Sequence, residues 1–107
     1  MSKLQSMVLR FPESSSLDAV GYTLYIEPEG VEVTHNSPGY YLVNFVTVDN
    51  IVETDLSGID GISTMDGVYN IGVATIDDAG NESSLSTMDS VPLDFVAPNP
   101  PGPLSIG

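Results

Sequence analysis

The sequence has no cysteine, no tryptophan, a single histidine and only two basic residues, Lys3 and Arg10. Without cysteine the chain can form neither a disulfide framework nor a thiolate metal site. The single histidine, His35, lies in a predicted turn, and no nucleophile, base and orienting residue can be assembled around it. We therefore expect a protein that is not an enzyme.

Acidic residues outnumber basic ones by fifteen to two, so that the formal net charge is −13 at pH 7. A surface of this charge keeps a protein soluble, and it repels phosphate backbones and anionic lipid headgroups, so we expect no nucleic-acid partner. The sequence also lacks an apolar run long enough for a transmembrane helix, so no membrane insertion is expected. The first residues lack the apolar segment and cleavage site of a signal peptide.

The segment from Gly67 to Ser83 has the clearest pattern in the chain. Bulky residues alternate with small or polar ones, which is the two-residue period of a strand. The first face comprises Tyr69, Ile71, Val73 and Thr75, and the second comprises Asn70, Gly72 and Ala74. Residues 77–81, Asp-Asp-Ala-Gly-Asn, are typical of a turn, because Asp and Asn cap their own backbone and Gly tolerates a positive φ. The pattern predicts a β-hairpin.

Other segments rich in β-forming residues follow one another at a spacing of about ten residues, with turn residues between them. Strands are predicted over residues 4–11, 19–27, 31–34, 40–48, 51–56 and 85–95. Pro92 lies inside the last of them and indicates an edge strand, because proline removes a ladder donor. No segment has a sustained period of 3.6 residues, so we predict an antiparallel sandwich or a small barrel.

The C-terminal residues differ in composition from the rest of the chain. We predict a β-domain over residues 1–95 and a proline-rich arm or linker over residues 96–107. Prolines favour an extended, polyproline-like path without sheet pairing until Leu104. The apolar residues at its end, Leu104 and Ile106, alternate with Ser105.

The hairpin resembles strand F and the F–G turn of fibronectin type III domains in their bacterial and phage form, with Tyr69 at the position of the tyrosine corner. Residues 9–13 resemble strand B, with Phe11 where the family usually has tryptophan, and residues 20–25 are similar to strand C. The resemblance implies an all-β fold, an antiparallel immunoglobulin-like (fibronectin type III-like) β-sandwich that binds or spaces and almost never catalyses.

One departure from the family concerns strand A, which precedes strand B in such domains. Here strand B lies near residue 9, and the segment that resembles strand A, residues 98–106, lies at the other end of the chain. A missing strand A leaves an open edge beside strand B. The displaced arm therefore suggests strand addition to a second copy, although a tail folded back in cis or an arm laid on an unrelated partner would also fit.

A calcium site is a further candidate, because Asp77, Asp78, Asn81 and Glu82 offer several oxygens within one loop. The spacing is not that of an EF-hand, and the same residues suit a turn held by Asx hydrogen bonds. We favour the turn, and we expect no cofactor, with calcium as the alternative.

Tyrosines are common anchors at interfaces, and two of them fall on the less apolar strand faces. With the arm they make up the predicted interface, which comprises Tyr25, Tyr41, Pro98, Pro100, Pro101, Leu104 and Ile106. The expected partner is a protein, either a second copy of this chain or a capsid or tail protein.

Two settings fit these expectations. The first is a small virion structural protein, such as a phage capsid decoration or tail component, assembled in the host cytoplasm; the initial methionine and the missing signal peptide favour it. The second is an adhesion or spacer module of a bacterial surface or secreted multidomain protein, with a calcium-dependent carbohydrate-binding module as a further variant.

Overall fold

The computed structural model describes residues 8–43, 45–62, 65–94 and 101–106. Its strands are β1 (Val8–Pro12), β2 (Ala19–Pro28), β3 (Gly39–Tyr41), β4 (Phe45–Val48), β5 (Ile51–Asp55), β6 (Asp66–Asp77) and β7 (Ser86–Asp94), with a 3-10 turn at Leu56–Gly58. Antiparallel pairing gives a three-stranded sheet, β1-β5-β4, and a four-stranded sheet, β3-β2-β6-β7. The predicted all-β class is confirmed, and no helix in the described ranges could span a membrane.

The predicted hairpin is present as β6 and β7, which pair antiparallel from Asp66 and Asp94 onwards. The two faces of β6 are those that alternation predicts: Ile71 belongs to the main core, whereas Ala74 packs on the opposite face of the sheet. β7 is the outer strand of its sheet, as the proline at position 92 predicted.

Two predicted strands are wrong. Residues 31–34 form no strand; they lie in a loop over the outer face of the four-stranded sheet, where Val33 packs with Tyr25 and Ala74. Residues 40–48 do not form one strand either, because β3 and β4 belong to different sheets. Between them Leu42 is buried in the core, and its amide still donates to the Tyr22 carbonyl oxygen. The chain passes from one sheet to the other immediately after this residue.

Both sheets contribute to one hydrophobic core. The four-stranded sheet supplies Leu24 and Leu93, and the three-stranded sheet supplies Val52; all three are almost fully buried. Leu56 and Ile62, from the segment between β5 and β6, complete the buried set. Burial of a leucine or isoleucine side chain contributes about 1.5–3 kcal/mol each, so this shared core holds the two sheets together.

Three aromatic rings cross the space between the sheets. Phe11 on β1 and Phe45 on β4 each contact Tyr22 on β2 edge to face, with ring centroids 4.9 and 5.6 Å apart. The Tyr22 hydroxyl accepts a hydrogen bond of 3.1 Å from the Ser14 amide. Tyr69, the expected corner residue, packs against the core, but its hydroxyl has no hydrogen-bond partner within the described residues. Of these two tyrosines, Tyr22 is the one whose hydroxyl bonds to the backbone within the described residues.

A bulge interrupts β7. Tyr69 pairs with Val91 but Ile71 pairs with Met88, so two residues of β7 face Asn70 alone. The second of them, Ser90, has a φ of +57°. The buried Asn70 side chain accepts from the Ser90 amide at 3.0 Å and donates to the Val31 carbonyl at 2.9 Å. One amide group thus holds both the bulge and the loop that crosses the outer face.

Candidate interaction surface

An apolar groove lies between the two sheets on the side where β1 and β7 are the outer strands. It has a volume of about 330 Å³. Leu9 and Phe11 line it from β1, Met88 lines it from β7, and Ile71 and Val73 lie between them. Leu9, Phe11 and Val73 are only half-buried, and Met88 is 56 % exposed. The core is therefore open to solvent along this groove.

The described lining of the groove contains no acidic side chain, although the chain has fifteen of them. Its described lining contains one charged residue, Arg10, whose Nε donates to a Glu53 carboxylate oxygen at 2.8 Å on the outer face of the sheet. A surface without carboxylates is the part of a strongly acidic protein on which a second acidic copy meets the least repulsion.

The outer edge of β1 borders this groove, and within the described residues no strand pairs with it. The Glu13 amide donates to Asn50 across the β1–β5 ladder at 2.9 Å. Because backbone groups alternate in direction along a strand, the amides and carbonyls of Leu9 and Phe11 also point toward β5. Those of Val8 and Arg10 point to the open edge, together with the Pro12 carbonyl. Pro12 has no N–H, so its place on an open edge leaves no donor unpaired.

The arm makes no strand over its described residues, 101–106, and all six are exposed. Leu104 is 91 % exposed and Ile106 is fully exposed. Residues 95–107 contain no acidic or basic side chain. The arm is thus a second acid-free region, with two large apolar side chains that the rest of the described domain does not cover.

The predicted interface residues are placed as follows. Pro101, Leu104 and Ile106 are exposed, whereas Pro98 and Pro100 lie outside the described residues. Tyr41 is 68 % exposed and lines a separate concavity with Val43 and Ile59. The structure does not bring Tyr41 to the groove between β1 and β7. These assignments to an interface remain predictions.

Tyr25 is buried on the outer face of the four-stranded sheet. Its hydroxyl donates to Glu82 Oε1 at 2.5 Å, and its ring meets that of His35 edge to face at 5.8 Å. The hydrogen bond to Glu82, together with burial and the nearby carboxylate charge, raises the pKa of Tyr25 to about 12. Gly39 permits this packing, because a Cβ there would lie 2.8 Å from the Tyr25 ring. The Tyr25 hydroxyl is thus engaged within the domain.

The exposed loop residue His35 donates from Nε2 to the Ser83 carbonyl at 2.8 Å. This bond joins the loop over the outer face to the chain just before β7. His35 therefore takes part in the same outer cluster as Tyr25 and Glu82, and its contacts are those of a structural residue.

The calcium candidates lie in and beside the turn after β6. Asp77 accepts from the Ala79 and Asn81 amides through Oδ1 and from the Asn81 side chain through Oδ2. The hydrogen bonds from Asn81 lower the pKa of Asp77. Gly80 has a φ of +87°, which suits this turn. Glu82 accepts from Tyr25, and Asp78 is exposed.

The carboxylates of this loop do not converge on one point. No group of three or more metal-ligating side chains is found in the part of the chain that the structure describes. The oxygens of Asp77 are used as turn acceptors, as the Asx interpretation expects. Calcium binding stays an untested alternative.

The sequence suggested an unpaired edge at β1, with which no described strand pairs, but it did not suggest the groove beside that edge. The missing strand A predicted an unpaired edge at Leu9 to Phe11. The contribution of Met88 and Ser86 depends on where β7 lies relative to β1, and neither residue shows a local signal for it.

Comparisons with known proteins identify no relative. No family model matches the chain, no curated protein is significantly similar to it, and no solved structure matches its fold.

Proposed function

We propose that this protein is a non-catalytic structural module that assembles through protein contacts made by its C-terminal arm and its apolar groove. The observation that carries the proposal is the pairing of two uncovered, acid-free apolar regions in one very acidic chain. Leu104 and Ile106 are exposed on the arm, and the core is open along the groove. Exposed apolar surface of this kind marks a contact site.

We further propose an immunoglobulin-like sandwich of the fibronectin type III kind in which β1 takes the position of strand B. In immunoglobulin domains one sheet has the order A-B-E-D and the other contains C, F and G. With β1 taken as strand B and β2 as strand C, the two sheets read B-E-D and C′-C-F-G. This order, in which no described strand pairs with the outer edge of β1, supports the proposal.

Light scattering on the full chain over a range of concentrations tests the proposed function. We expect the average mass to rise above the monomer value of 11.3 kDa as the concentration increases. The variant Leu104→Ser/Ile106→Ser should stay monomeric, because the arm then has no apolar side chains to bury.

The matched control is Leu17→Ser/Val20→Ser, which removes two exposed apolar residues that belong neither to the arm nor to the described lining of the groove. It should associate like the parent protein. A parent protein that stays at the monomer mass at every concentration, or an arm variant that associates as well as the control, would contradict the proposed function.

For the biological setting we propose a virion structural protein, such as a capsid decoration or tail component. The support is that residues 101–106 of the arm are all exposed, which suits a subunit held by its neighbours. A spacer module of a bacterial surface protein is the second setting, and the proline-rich composition of the arm favours it, since such segments also serve as semi-rigid linkers. Mass spectrometry of purified phage particles separates the two.

A further inference from the structure

We infer that the arm of one copy fills the groove of the next copy as an added strand, antiparallel to β1, with Leu104 facing Phe11 and Ile106 facing Leu9. This inference rests on the proposed function and names its partner, a second copy of this chain. Its observations are the open edge of β1, the apolar groove beneath it and the uncovered side chains of the arm.

The direction of the strands decides between the same copy and another. β7 ends at Asp94, opposite Asp66, at the end of the domain where β2 finishes. β1 ends at Pro12, and residues 13–18 connect it to the start of β2, at the opposite end of the domain. β1 therefore begins at the end of the domain from which the arm departs.

An antiparallel strand on β1 must start beside Pro12 and finish beside Val8. The arm of the same copy would reach the Val8 end first, and it could run along β1 only in parallel. The arm of another copy can enter from the Pro12 end. Such a contact joins unlike surfaces, so it continues from copy to copy until it closes into a ring or grows as a filament.

The register follows from the groups that the open edge offers. Val8 and Arg10 point their backbone groups outward, so an added residue opposite Arg10 exchanges both hydrogen bonds with it. Placing Ser105 there puts Leu104 over Phe11 and Ile106 over Leu9, on the groove side of the new strand. The same register places Pro103 opposite Pro12, where neither residue has an N–H to leave unpaired.

Side-chain chemistry agrees with this register. The groove lining from Leu9, Phe11, Val73 and Met88 is apolar, and the two arm side chains that would enter it are apolar as well. Ser105 would lie on the outer face beside Arg10, which is exposed there. The described groove lining and residues 103–106 contain no carboxylate, although the whole chain carries a net charge of −13.

Disulfide trapping in the full chain tests the inference, since the natural sequence has no cysteine. In the variant Arg10→Cys/Ser105→Cys the two Cα atoms would lie about 5.5 Å apart, which a disulfide can span. The control is Glu53→Cys/Ser105→Cys. Glu53 pairs with Arg10 on the far side of β1, so its Cα lies about 10 Å from Ser105, beyond the reach of a disulfide.

After mild oxidation at a concentration where the protein associates, the first variant should give a ladder of dimers and larger species on a non-reducing denaturing gel. The control should remain a monomer with free thiols. Thermal melting of both reduced variants checks that they fold.

Three outcomes would overturn the inference. A monomer without free thiols would mean that the arm folds back in cis. A ladder of equal strength in the control would mean that the arm has no fixed register. Free thiols in both variants would mean that the arm binds elsewhere. In the last case, arm-dependent association by light scattering would leave the proposed function standing, whereas a monomeric parent protein would remove both.

Discussion

The shortest side-chain hydrogen bond described in the domain joins Tyr25 to Glu82 at 2.5 Å, and it has a consequence for stability at high pH. A tyrosine in the unfolded chain loses its proton near pH 10.0, whereas the folded protein raises the pKa of Tyr25 to about 12. Between these values the folded state binds more protons than the unfolded state. The stabilisation is fully present below about pH 10 and is lost as the pH rises toward 12.

We predict that Tyr25→Phe removes this part of the pH dependence. The free energy of unfolding, measured in urea from pH 9 to pH 12, should fall less steeply in the variant than in the parent protein. Tyr69→Phe, at a tyrosine that packs against the main core and is not among the groups that raise the pKa of Tyr25, should keep the parent slope. If the free energy of unfolding falls equally steeply with pH in all three proteins, the hydrogen bond to Glu82 does not raise the pKa of Tyr25.

A second prediction at this scale concerns Tyr22 and Tyr69, two of the tyrosines that contact the core. Tyr22→Phe should lower the free energy of unfolding by about 1 kcal/mol or more, because the Ser14 amide loses its acceptor. Tyr69→Phe should cost less, since no partner of its hydroxyl lies within the described residues. Chemical denaturation of both variants makes the comparison, and a larger loss for Tyr69→Phe would restore Tyr69 as the corner residue.

At the scale of elements, the bulge in β7 depends on one buried side chain. Asn70 accepts from the Ser90 amide and donates to the Val31 carbonyl, and it is only 8 % exposed. Asn70→Ala leaves both backbone groups without their partner. We predict a loss of about 1–3 kcal/mol in the free energy of unfolding. The exposed Asn36→Ala should change it by less than about 0.5 kcal/mol. An effect of Asn70→Ala as small as that of the control would contradict this role.

The elements also show which parts of the fold local sequence can predict. The β6–β7 hairpin was predictable because alternation and turn residues are local signals. Residues 40–48 are rich in strand-forming residues, and this composition did not separate β3 from β4, which belong to different sheets. The sequence around Val33 also resembles a strand. Its apolar residue is buried because it packs on the face of a sheet, and not because it belongs to a ladder.

The features of the candidate interaction surface also differ in whether the sequence predicts them. The proline-rich composition predicted an extended arm, and the displaced strand A suggested an unpaired edge at β1. The role of Tyr25 could not be predicted, because its partner Glu82 lies 57 residues away. The alternation along the strand indicated only that Tyr25 lies on the less apolar face. Met88 joins the groove only through the pairing of β7 with β6. The positions of Tyr25 and Met88 depend on contacts between segments that are far apart in the sequence, and such contacts leave no local sequence pattern.

At the scale of the whole molecule, charge limits where two copies can meet. Each copy carries a net charge of −13, so most contacts between copies bring carboxylates together. The groove and the arm are acid-free, and both leave apolar side chains exposed. A contact between them covers apolar surface without placing a carboxylate at the contact, and it would add a strand to an edge of β1 with which no described strand pairs.

Mixing a variant that has a defective groove with a variant that has a defective arm tests this central claim most directly. Met88→Glu places a carboxylate in the groove at an exposed position, and Leu104→Ser/Ile106→Ser disables the arm. Each variant alone should fail to form the extended series of the parent protein, because every contact needs one groove and one arm. Val48→Glu, at an equally exposed position outside the groove, should associate like the parent.

Native mass spectrometry of the two variants mixed in equal amounts gives the decisive result. The account predicts a one-to-one complex and nothing larger, because only one intact groove and one intact arm remain in the pair. A mixture that stays monomeric, or a Met88→Glu variant that forms the parent series by itself, would contradict it.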